Sequence, residues 1–270
     1  MEKSSKVQGI AVIAVFVVLT IVLIALIPME QKQLTLEKYG TLAVNAETDE
    51  KAAYILEHAE EYPPEILSLY NDFHRNSLYV DFIYNYPEHK DDYLKMAYTE
   101  EEMEPGTMPR LNMHDLRWCY GDIGGQYIYF SGCAAVALTM AYIDVFDKYD
   151  MDPVKVGDVA EGIGAIGLWG GIDVTRMKDV CICLGFIATE YRFDTEEAKP
   201  DEQLLKDIID NGSVLLAGTH GSVFGDHAII IRSYTEDGFM INDPASDENS
   251  EKTWTFEELK DELYYVWELR

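Results

Sequence analysis

The stretch Ser131–Phe146, SGCAAVALTMAYIDVF, decides the fold of this chain. It places Cys133 directly before a nearly all-apolar run, and an apolar run without alternation predicts a helix buried on most sides. A cysteine in the first turn of a helix lies near unpaired backbone N–H groups and the positive end of the helix dipole, which stabilise a thiolate. The stretch therefore allows two interpretations: a cysteine nucleophile, or a small cysteine that simply fills the core.

The composition indicates a folded, acidic protein. The chain has 270 residues, of which 48% are hydrophobic, enough to form a sizeable core in one or two domains. Its formal net charge is -28. Such a chain is repelled by the phosphates of nucleic acids and by anionic lipid headgroups, so we expect no nucleic-acid partner. The acidic residues are typical of a solvated surface.

An apolar segment near the N-terminus predicts a membrane anchor. Residues Ile10–Ile27 contain one hydroxyl and no charge, and their length just suffices to span a bilayer as a helix. Lys3 and Lys6 precede the segment and favour a cytoplasmic N-terminus. Because no small-residue cleavage pattern follows, we expect an uncleaved signal anchor at 10–28 after a cytoplasmic tail at 1–9. The rest of the chain would then be extracytoplasmic.

A small helical arm is predicted after the anchor. The segment Gln31–Thr48 is polar and mixed and is interpreted as a linker. Apolar residues at helical spacing then predict three short helices, one from Asp49, one from Pro63-Pro64, and one from Leu78 to Tyr86-Pro87. Three histidines of the arm share no spacing and are interpreted as ordinary surface or half-buried side chains: His58, His74 and His89.

A second domain follows the arm. The acidic, Gly/Pro-containing segment Thr99–Pro109 predicts a domain boundary. The linker and the helical arm together would occupy 29–110, and the second domain would occupy 111–270. The glycine-rich loop Gly162–Gly171 lacks the Lys-Ser/Thr of a phosphate-binding loop, so we predict no nucleotide site.

In the second domain, helical patterns come first and strand patterns follow, which indicates the α+β class. Besides the Cys133 helix, the predicted helices are Asp173–Leu184, Asp201–Asp210 and Phe256–Leu263, and the predicted strands are Ser213–Ala217, Ala228–Ile231, Phe239–Ile241 and Tyr264–Leu269.

A cysteine nucleophile needs a base that accepts its proton and a group that orients the base. The second domain contains three histidines. His227 begins a predicted strand, whose backbone pairing would fix the side chain in place. His220 lies in a glycine-flanked loop, and His114 precedes the other elements of the domain. His227 is therefore the candidate base.

The candidate orienter is Asp243, at the end of the strand that returns after His227. Asn242 points to the other face of that strand and is the secondary candidate. A two-residue turn would place Asp243 opposite Arg232, roughly 16 Å along the strand from His227. A five-residue loop, Ser233–Asp237, would place Asp243 directly opposite His227. The catalytic interpretation therefore predicts the longer loop.

Gln126 and the backbone N–H of Cys133 are the candidate donors to the oxyanion that forms during attack on a carbonyl. The alternative is that Gln126 is simply exposed in its loop. Cys181 and Cys183 do not have the spacing of a zinc site, so no metal is predicted. A disulfide is possible outside the cell, and the pairing among Cys119, Cys181 and Cys183 stays open.

The order Gln126, Cys133, His227, Asp243 resembles that of papain-like cysteine peptidases, and more narrowly that of the C39-like branch, relatives of the bacteriocin-leader peptidases. Four stretches carry the resemblance, and they span most of the second domain: Asp115-Leu116-Arg117-Trp118 with Tyr120-Gly121, Ser131-Gly132-Cys133 with its apolar helix, Asp226-His227-Ala228-Ile229-Ile230, and Asn242-Asp243-Pro244-Ala245-Ser246 with Glu248-Asn249-Ser250 and Trp254.

Two features depart from the family pattern. Ala134-Ala135 stands where the family has Gly-Pro, and the opening loop is compressed between Trp118 and Tyr120. Both lie beside the predicted nucleophile, so a substrate preference cannot be transferred from the family. The short helices before the domain resemble the N-terminal arm of membrane-anchored members.

The resemblance implies a papain-like α+β fold, in which a helix carrying Cys133 packs on an antiparallel sheet carrying His227 and Asp243. It implies hydrolysis of peptide or amide bonds through a thioester, with Gln126 at the oxyanion and no cofactor. The partner would be a peptide or protein substrate. The implied location is the cell membrane of a Gram-positive bacterium, with the domain outside.

Three other functions stay open. A Cys-His amidase would cleave cell-wall peptides, and digestion of purified wall beside a peptide library would separate it from a peptidase. An inactive papain-like fold would bind a partner, and its biological effect would survive Cys133→Ala. Leader processing coupled to an ATP-driven exporter is the third, but the predicted topology disfavours it.

Overall fold

The computed structural model describes residues 31–193 and 198–270. It divides the chain into two compact units, Met1–Pro87 and Glu88–Arg270. The predicted tail at 1–9 and anchor at 10–28 lie outside the described residues. Within the described ranges, no helix combines the length and the apolar character that a bilayer span requires.

The described part of the first unit is helical. Its helices are residues 31–39 (α1), Thr41–Asn45 (α2), Glu50–Glu57 (α3), Pro64–Phe73 (α4) and Ser77–His89 (α5), of which α5 ends two residues past the unit boundary at Pro87.

The three predicted helices of the arm are confirmed. The Asp49 side chain caps α3 by accepting a hydrogen bond from the Ala52 N–H at 2.7 Å. The predicted linker from Gln31 to Thr48 is wrong, because this segment forms α1 and α2. Leu42 and Ala43 are buried there and give the segment a share in the core of its unit.

The boundary between the two units falls at Pro87, before the predicted segment Thr99–Pro109. Residues 88–110 belong to the second unit because their side chains make specific bonds within it. The Tyr98 hydroxyl donates to the Met151 carbonyl at 2.6 Å. Both terminal nitrogens of Arg117 donate to the Glu102 carboxylate, at 2.8 and 2.7 Å.

The second unit contains a six-stranded antiparallel sheet in the order β1-β6-β2-β3-β4-β5, which agrees with the predicted α+β class. The last strand in sequence, β6, lies inside the sheet between β1 and β2. The strands are Ala188–Arg192 (β1), Val214–Gly221 (β2), Gly225–Thr235 (β3), Gly238–Asn242 (β4), Thr253–Trp254 (β5) and Leu263–Leu269 (β6).

The helices of this unit are Ile128–Ser131 (α6), Cys133–Phe146 (α7), Pro153–Gly162 (α8), Met177–Cys183 (α9), Glu202–Asp210 (α10), Asp247–Glu251 (α11) and Phe256–Leu259 (α12). The predicted helix from Asp173 opens with a 3-10 turn, Val174–Arg176, before α9 begins. The sequence did not predict α6, α8, α11, β1 or β5.

Both faces of the sheet are covered, and α7 lies against one of them. Every residue of α7 from Ala134 to Ile143 is buried, as the unbroken apolar run predicts. Leu216, Ala228 and Trp267 are in the same apolar cluster as α7. The opposite face carries a second cluster, formed by β2, β3, β4 and β6 with α10. Because α7 is packed on all sides, its first residue is held at a fixed place beside β3.

Candidate active site

Cys133 is the first residue of α7, and the short helix α6 ends two residues earlier. Gly132 joins the two helices. A Cβ atom at this position would lie 2.6 Å from the Ile128 carbonyl oxygen, so only glycine fits the junction. The half-buried Cys133 sulfur accepts hydrogen bonds from the backbone N–H groups of Ala134 and Ala228. The end of α7 and strand β3 therefore both point donors at this thiol.

His227 lies near the start of β3, where it pairs with Thr219 of β2. Its side chain is 11% exposed and hydrogen bonds with the Cys133 side chain. Its Nε2 lies 2.6 Å from Asp243 Oδ1. This leaves Nδ1 to face the thiol, so the imidazole bridges the sulfur and the carboxylate.

Asp243 follows directly after β4, and its side chain is 2% exposed. Oδ1 also accepts from the Ala245 N–H at 2.8 Å, and Oδ2 accepts from Asn249 Nδ2 at 2.7 Å. The Asp243 N–H donates to Ser250 Oγ at 2.8 Å. These bonds tie the carboxylate to helix α11 and fix its direction towards His227.

The structure brings His227 and Asp243 together by a route that differs from the predicted one. The β3–β4 turn has two residues, since Thr235 pairs with Gly238, and a bulge at Arg232 shifts the register. Continued past Asn242, this register places Asp243 beside Ile229. The predicted five-residue loop is therefore wrong. The two side chains meet on a diagonal instead, a spacing that long side chains can bridge.

The charges of the three groups support one another. Burial raises the pKa of Cys133, but the hydrogen bond and positive charge of His227 outweigh it, so the pKa of Cys133 is lowered. Burial lowers the pKa of His227, but its bonds to Asp243 and Cys133 raise the pKa by a larger amount, so the net shift is upward. The pKa of Asp243 is lowered, since the His227 bond overcomes burial. The favoured state is thiolate, imidazolium and carboxylate.

Gln126 lies in a tight loop that leads into α6, with its carbonyl accepting from the Ile123 N–H at 2.7 Å. Its side chain is exposed, and its aliphatic part packs on Gly170, where an added Cβ atom would lie 2.7 Å from Gln126 Cβ. Gln126 is not a member of the bonded set of Cys133, His227 and Asp243. Its oxyanion role stays a prediction.

Asn242, the secondary candidate, lies on the α7 side of the sheet. It is 3% exposed, and its Nδ2 lies 3.5 Å from the Pro109 carbonyl and 3.8 Å from the Met140 sulfur. Its contacts therefore hold the start of the domain against α7. The side chain that bonds to His227 is that of Asp243 and not that of Asn242.

Three polar side chains near the site were given no role by the sequence reasoning. Asn249 and Ser250 bond to Asp243. The sequence did point to them, because the stretch Glu248-Asn249-Ser250 is part of the resemblance to the C39-like family. His114 packs on Tyr129 with 4.5 Å between ring centroids. Burial lowers the pKa of His114, and the charge of Asp243 opposes that shift, so His114 lies within electrostatic reach of the site.

The other cysteines differ from Cys133 in their surroundings. All four cysteines are free thiols. Burial raises the pKa of Cys119 and raises that of Cys181 to about 12, so both stay protonated as core residues. Cys183 is exposed. Within the described part of the chain, no three side chains form a group that could hold a metal ion.

Comparisons with known proteins identify the family of the chain. A model of the Peptidase_C39 like family matches residues 107–270, which is more than half of the chain. A crystal structure described as that of a candidate C39-like peptidase from Bacillus anthracis is similar at 10% sequence identity and a TM-score of 0.38, covering 62% of this chain and 96% of that chain. No curated protein matches the sequence. On the strength of the family match, the chain belongs to the C39-like peptidase family.

Proposed function

We propose that the protein is a cysteine peptidase that hydrolyses peptide or amide bonds through a thioester acyl-enzyme. One observation carries the proposal: the Cys133 thiol, the His227 imidazole and the Asp243 carboxylate form a continuous hydrogen-bonded line at the end of a buried helix. A binding module needs none of these bonds. Membership of the C39-like peptidase family supports the same conclusion.

The proposed reaction uses each group in turn. The Cys133 thiolate attacks the carbonyl carbon of the scissile bond, and the His227 imidazolium gives its proton to the leaving amine. The acyl group is then held on sulfur as a thioester. Neutral His227 takes a proton from water, the resulting hydroxide adds to the thioester, and the thiolate leaves. Asp243 keeps the imidazole oriented and stabilises its charged form.

The developing oxyanion needs donors that are already in place. The backbone N–H of Cys133, in the first turn of α7, is one such donor, and the Gln126 amide is the proposed second. The Gln126 side chain belongs to the loop that precedes α6, and α6 leads through Gly132 into Cys133.

We also propose that the enzyme is anchored in the cell membrane by residues 10–28, with the catalytic unit extracytoplasmic. The support is the uncharged apolar run Ile10–Ile27 and the lysines before it. Fractionation of cells that express the full chain tests this. The protein should stay in the membrane pellet after a high-salt wash and be digested by protease added to intact protoplasts. Recovery in the soluble fraction would contradict the anchor.

The catalytic assignment is tested by the alkylation rate of Cys133 as a function of pH, followed by mass spectrometry of its peptide in the full chain. In the wild type, the rate should persist well below pH ~8.5, the ordinary value for a cysteine, because His227 lowers the pKa of the thiol. In His227→Ala, the inflection should move to higher pH, because the hydrogen bond and charge of His227, which oppose the effect of burial most strongly, are lost.

Cys183 is an internal reference in the same sample, since its thiol is exposed. A Cys133 rate that follows the rate of Cys183 and is unchanged in His227→Ala would contradict the assignment. If the activated thiol is present, a peptide library and purified cell wall, each incubated with wild type and Cys133→Ala, distinguish a general peptidase from a cell-wall amidase.

A further inference from the structure

A tight turn beside the site exposes two large apolar side chains. Ile166 and Ile172 form an antiparallel bridge, and the Gly167 N–H donates to the Gly171 carbonyl at 2.9 Å. Leu168 and Trp169 occupy the tip of this turn, where they are 89% and 85% exposed. Single exposed apolar residues are ordinary, but two adjacent ones at the end of a closed turn indicate a surface that is covered in use.

Trp169 differs from the other tryptophans of the chain. Trp118 and Trp267 are fully buried, and Trp254 is 3% exposed. Their indole rings are parts of the core, whereas the ring of Trp169 contributes little to it. A role in the folding of the unit therefore does not explain this residue.

The base of the turn is held against the residues that frame the nucleophile. An added Cβ atom at Gly170 would lie 2.7 Å from Gln126 Cβ, and one at Gly171 would lie 2.7 Å from the Ser131 carbonyl oxygen. Both glycines have positive φ, 84° and 70°. The Gly171 N–H also donates to the Ile123 carbonyl at 3.4 Å. Only glycine permits this close approach, so the turn is fixed next to the start of α7.

We propose that Leu168 and Trp169 form a binding element for an apolar side chain of the peptide substrate, within a few residues of the bond that Cys133 attacks. This inference rests on the proposed peptidase function. The turn adjoins both the Gln126 loop and the residue pair before Cys133, so a peptide whose carbonyl lies at the thiol passes the tip. Burying apolar area there favours binding, and a tip held by glycine contacts loses little entropy on binding.

The charge of the protein is consistent with this occupant. A chain with a net charge of -28 repels acidic peptides and anionic lipid, so selection of a neutral apolar segment needs an uncharged contact surface. The Leu168-Trp169 tip supplies such a surface beside the nucleophile. Aromatic residues are common at the centre of peptide-binding surfaces because they offer a large contact area with few rotatable bonds.

A binding measurement tests the element without turnover. The full chain carrying Cys133→Ala, at one fixed detergent concentration, is titrated with soluble peptides that differ only in having Leu and Phe or Ser and Gln at the central positions. Trp169 is the exposed tryptophan, so its emission and its quenching by acrylamide report contact at the tip. The apolar peptide should shift the emission to the blue and protect the ring, and the polar peptide should do neither.

Two further variants identify the side chains responsible. Leu168→Ala keeps the Trp169 reporter and should weaken binding of the apolar peptide by about tenfold. Ile187→Ala removes another exposed apolar side chain, 67% exposed, and should leave binding unchanged. If Trp169 is already protected before peptide is added and does not respond to it, lipid, detergent or a second copy covers the tip and the proposal is overturned.

A cleavage measurement separates the failure of this inference from the failure of the proposed function. Wild type is incubated with a mixed peptide library, and the residues around each cleaved bond are compared with those for Leu168→Ala and Trp169→Ala. The apolar preference should fall in both variants through a rise in KM of about tenfold, with kcat little changed.

The possible outcomes point in different directions. Efficient cleavage with an unchanged preference in both variants would overturn the role of the tip and leave the peptidase assignment intact. Absence of cleavage by wild type would overturn the peptidase assignment. The fluorescence titration alone would then show whether the tip binds an apolar peptide. A response limited to apolar peptides would support peptide binding there, and no response would overturn it.

Discussion

Asp243 accepts hydrogen bonds from His227, Ala245 and Asn249 while its side chain is 2% exposed. A buried carboxylate with this many donors stays ionised, and the lowered pKa of Asp243 agrees. Its negative charge is one reason why the pKa of His227 is raised. The charge state of Cys133 therefore depends on a residue that does not touch the thiol.

Asp243→Asn tests this dependence. The asparagine keeps the shape of the side chain but removes the charge, so the raised pKa of His227 should fall and the lowered pKa of Cys133 should rise. The imidazolium, which is lost as pH rises through the pKa of His227, should then be lost at a lower pH. We expect kcat/KM near neutral pH to fall on the order of 10²-fold or more.

The matched control for Asp243→Asn is Asp247→Asn, four residues further along the chain. This change removes an exposed carboxylate that pairs with Arg110. It should leave the pH profile of the rate nearly unchanged. A profile that moves equally in both variants would show that overall charge, rather than the bond to His227, controls the thiol.

At the scale of elements, the junction of α6 and α7 sets the position of Cys133. Gly132→Ala would force a Cβ atom against the Ile128 carbonyl, at 2.6 Å in the present geometry. Relieving that contact requires a shift of the backbone directly before Cys133. We expect the unit to lose about 1–3 kcal/mol of unfolding free energy, measured in urea, and the alkylation of Cys133 at pH 7 to slow.

Gly162→Ala is the control for this junction. Gly162 is the last residue of α8, and an added Cβ atom there has no atom within 4 Å. Because alanine favours a helix more than glycine does, this change should be neutral or stabilise the unit by up to about 1 kcal/mol. Equal losses in both variants would rule out the contact with Ile128 as the cause.

The elements differ in how far the sequence alone predicts them. α7 was predicted because its burial on all sides gives an unbroken apolar run. The register of β3 and β4 was not, since it depends on one bulge at Arg232 that no local pattern marks. β1 was missed because most of its residues are only half-buried, which leaves no alternation of apolar and polar side chains.

The site shows the same division. Residue types and their order predicted Cys133, His227 and Asp243 as a set, because the side chains that can serve as nucleophile, base and orienter are chemically restricted, and the structure brings the three together. The diagonal contact of His227 with Asp243, and the support from Asn249, required the tertiary structure. The segment Thr99–Pro109 has the composition of a linker. The structure shows that it is part of the fold, because Glu102 pairs with Arg117, fifteen residues further along the chain, and the Pro109 carbonyl contacts Asn242.

At the scale of the whole molecule, residues 88–106 belong to the second unit but precede the region that the family model matches. A chain that begins at Glu88 keeps the Glu102–Arg117 pair and the bond from Tyr98 to Met151, and one that begins at Thr107 loses both. We expect the longer chain to be more stable by about 2 kcal/mol or more, measured as the free energy of urea unfolding.

The difference between the two chains should also depend on pH. Burial raises the pKa of Glu102, but the bonds from Arg117 and Thr99 lower it by more, so its folded pKa is below the unfolded value. Its contribution is present above the unfolded pKa and is lost as pH falls through the folded pKa. Glu102→Gln in the longer chain should remove this pH dependence. A stability difference that is the same at every pH would assign the effect to packing.

The position of β6 inside the sheet has a consequence for biosynthesis. Translation delivers Cys133, His227 and Asp243 before it delivers Leu263–Leu269, yet β1 and β2 have no shared partner until that strand arrives. Until then β2 has an open edge, and β1 has no partner strand in the sheet. The sheet that supports Cys133, His227 and Asp243 is therefore complete only after Leu263–Leu269 has been synthesised.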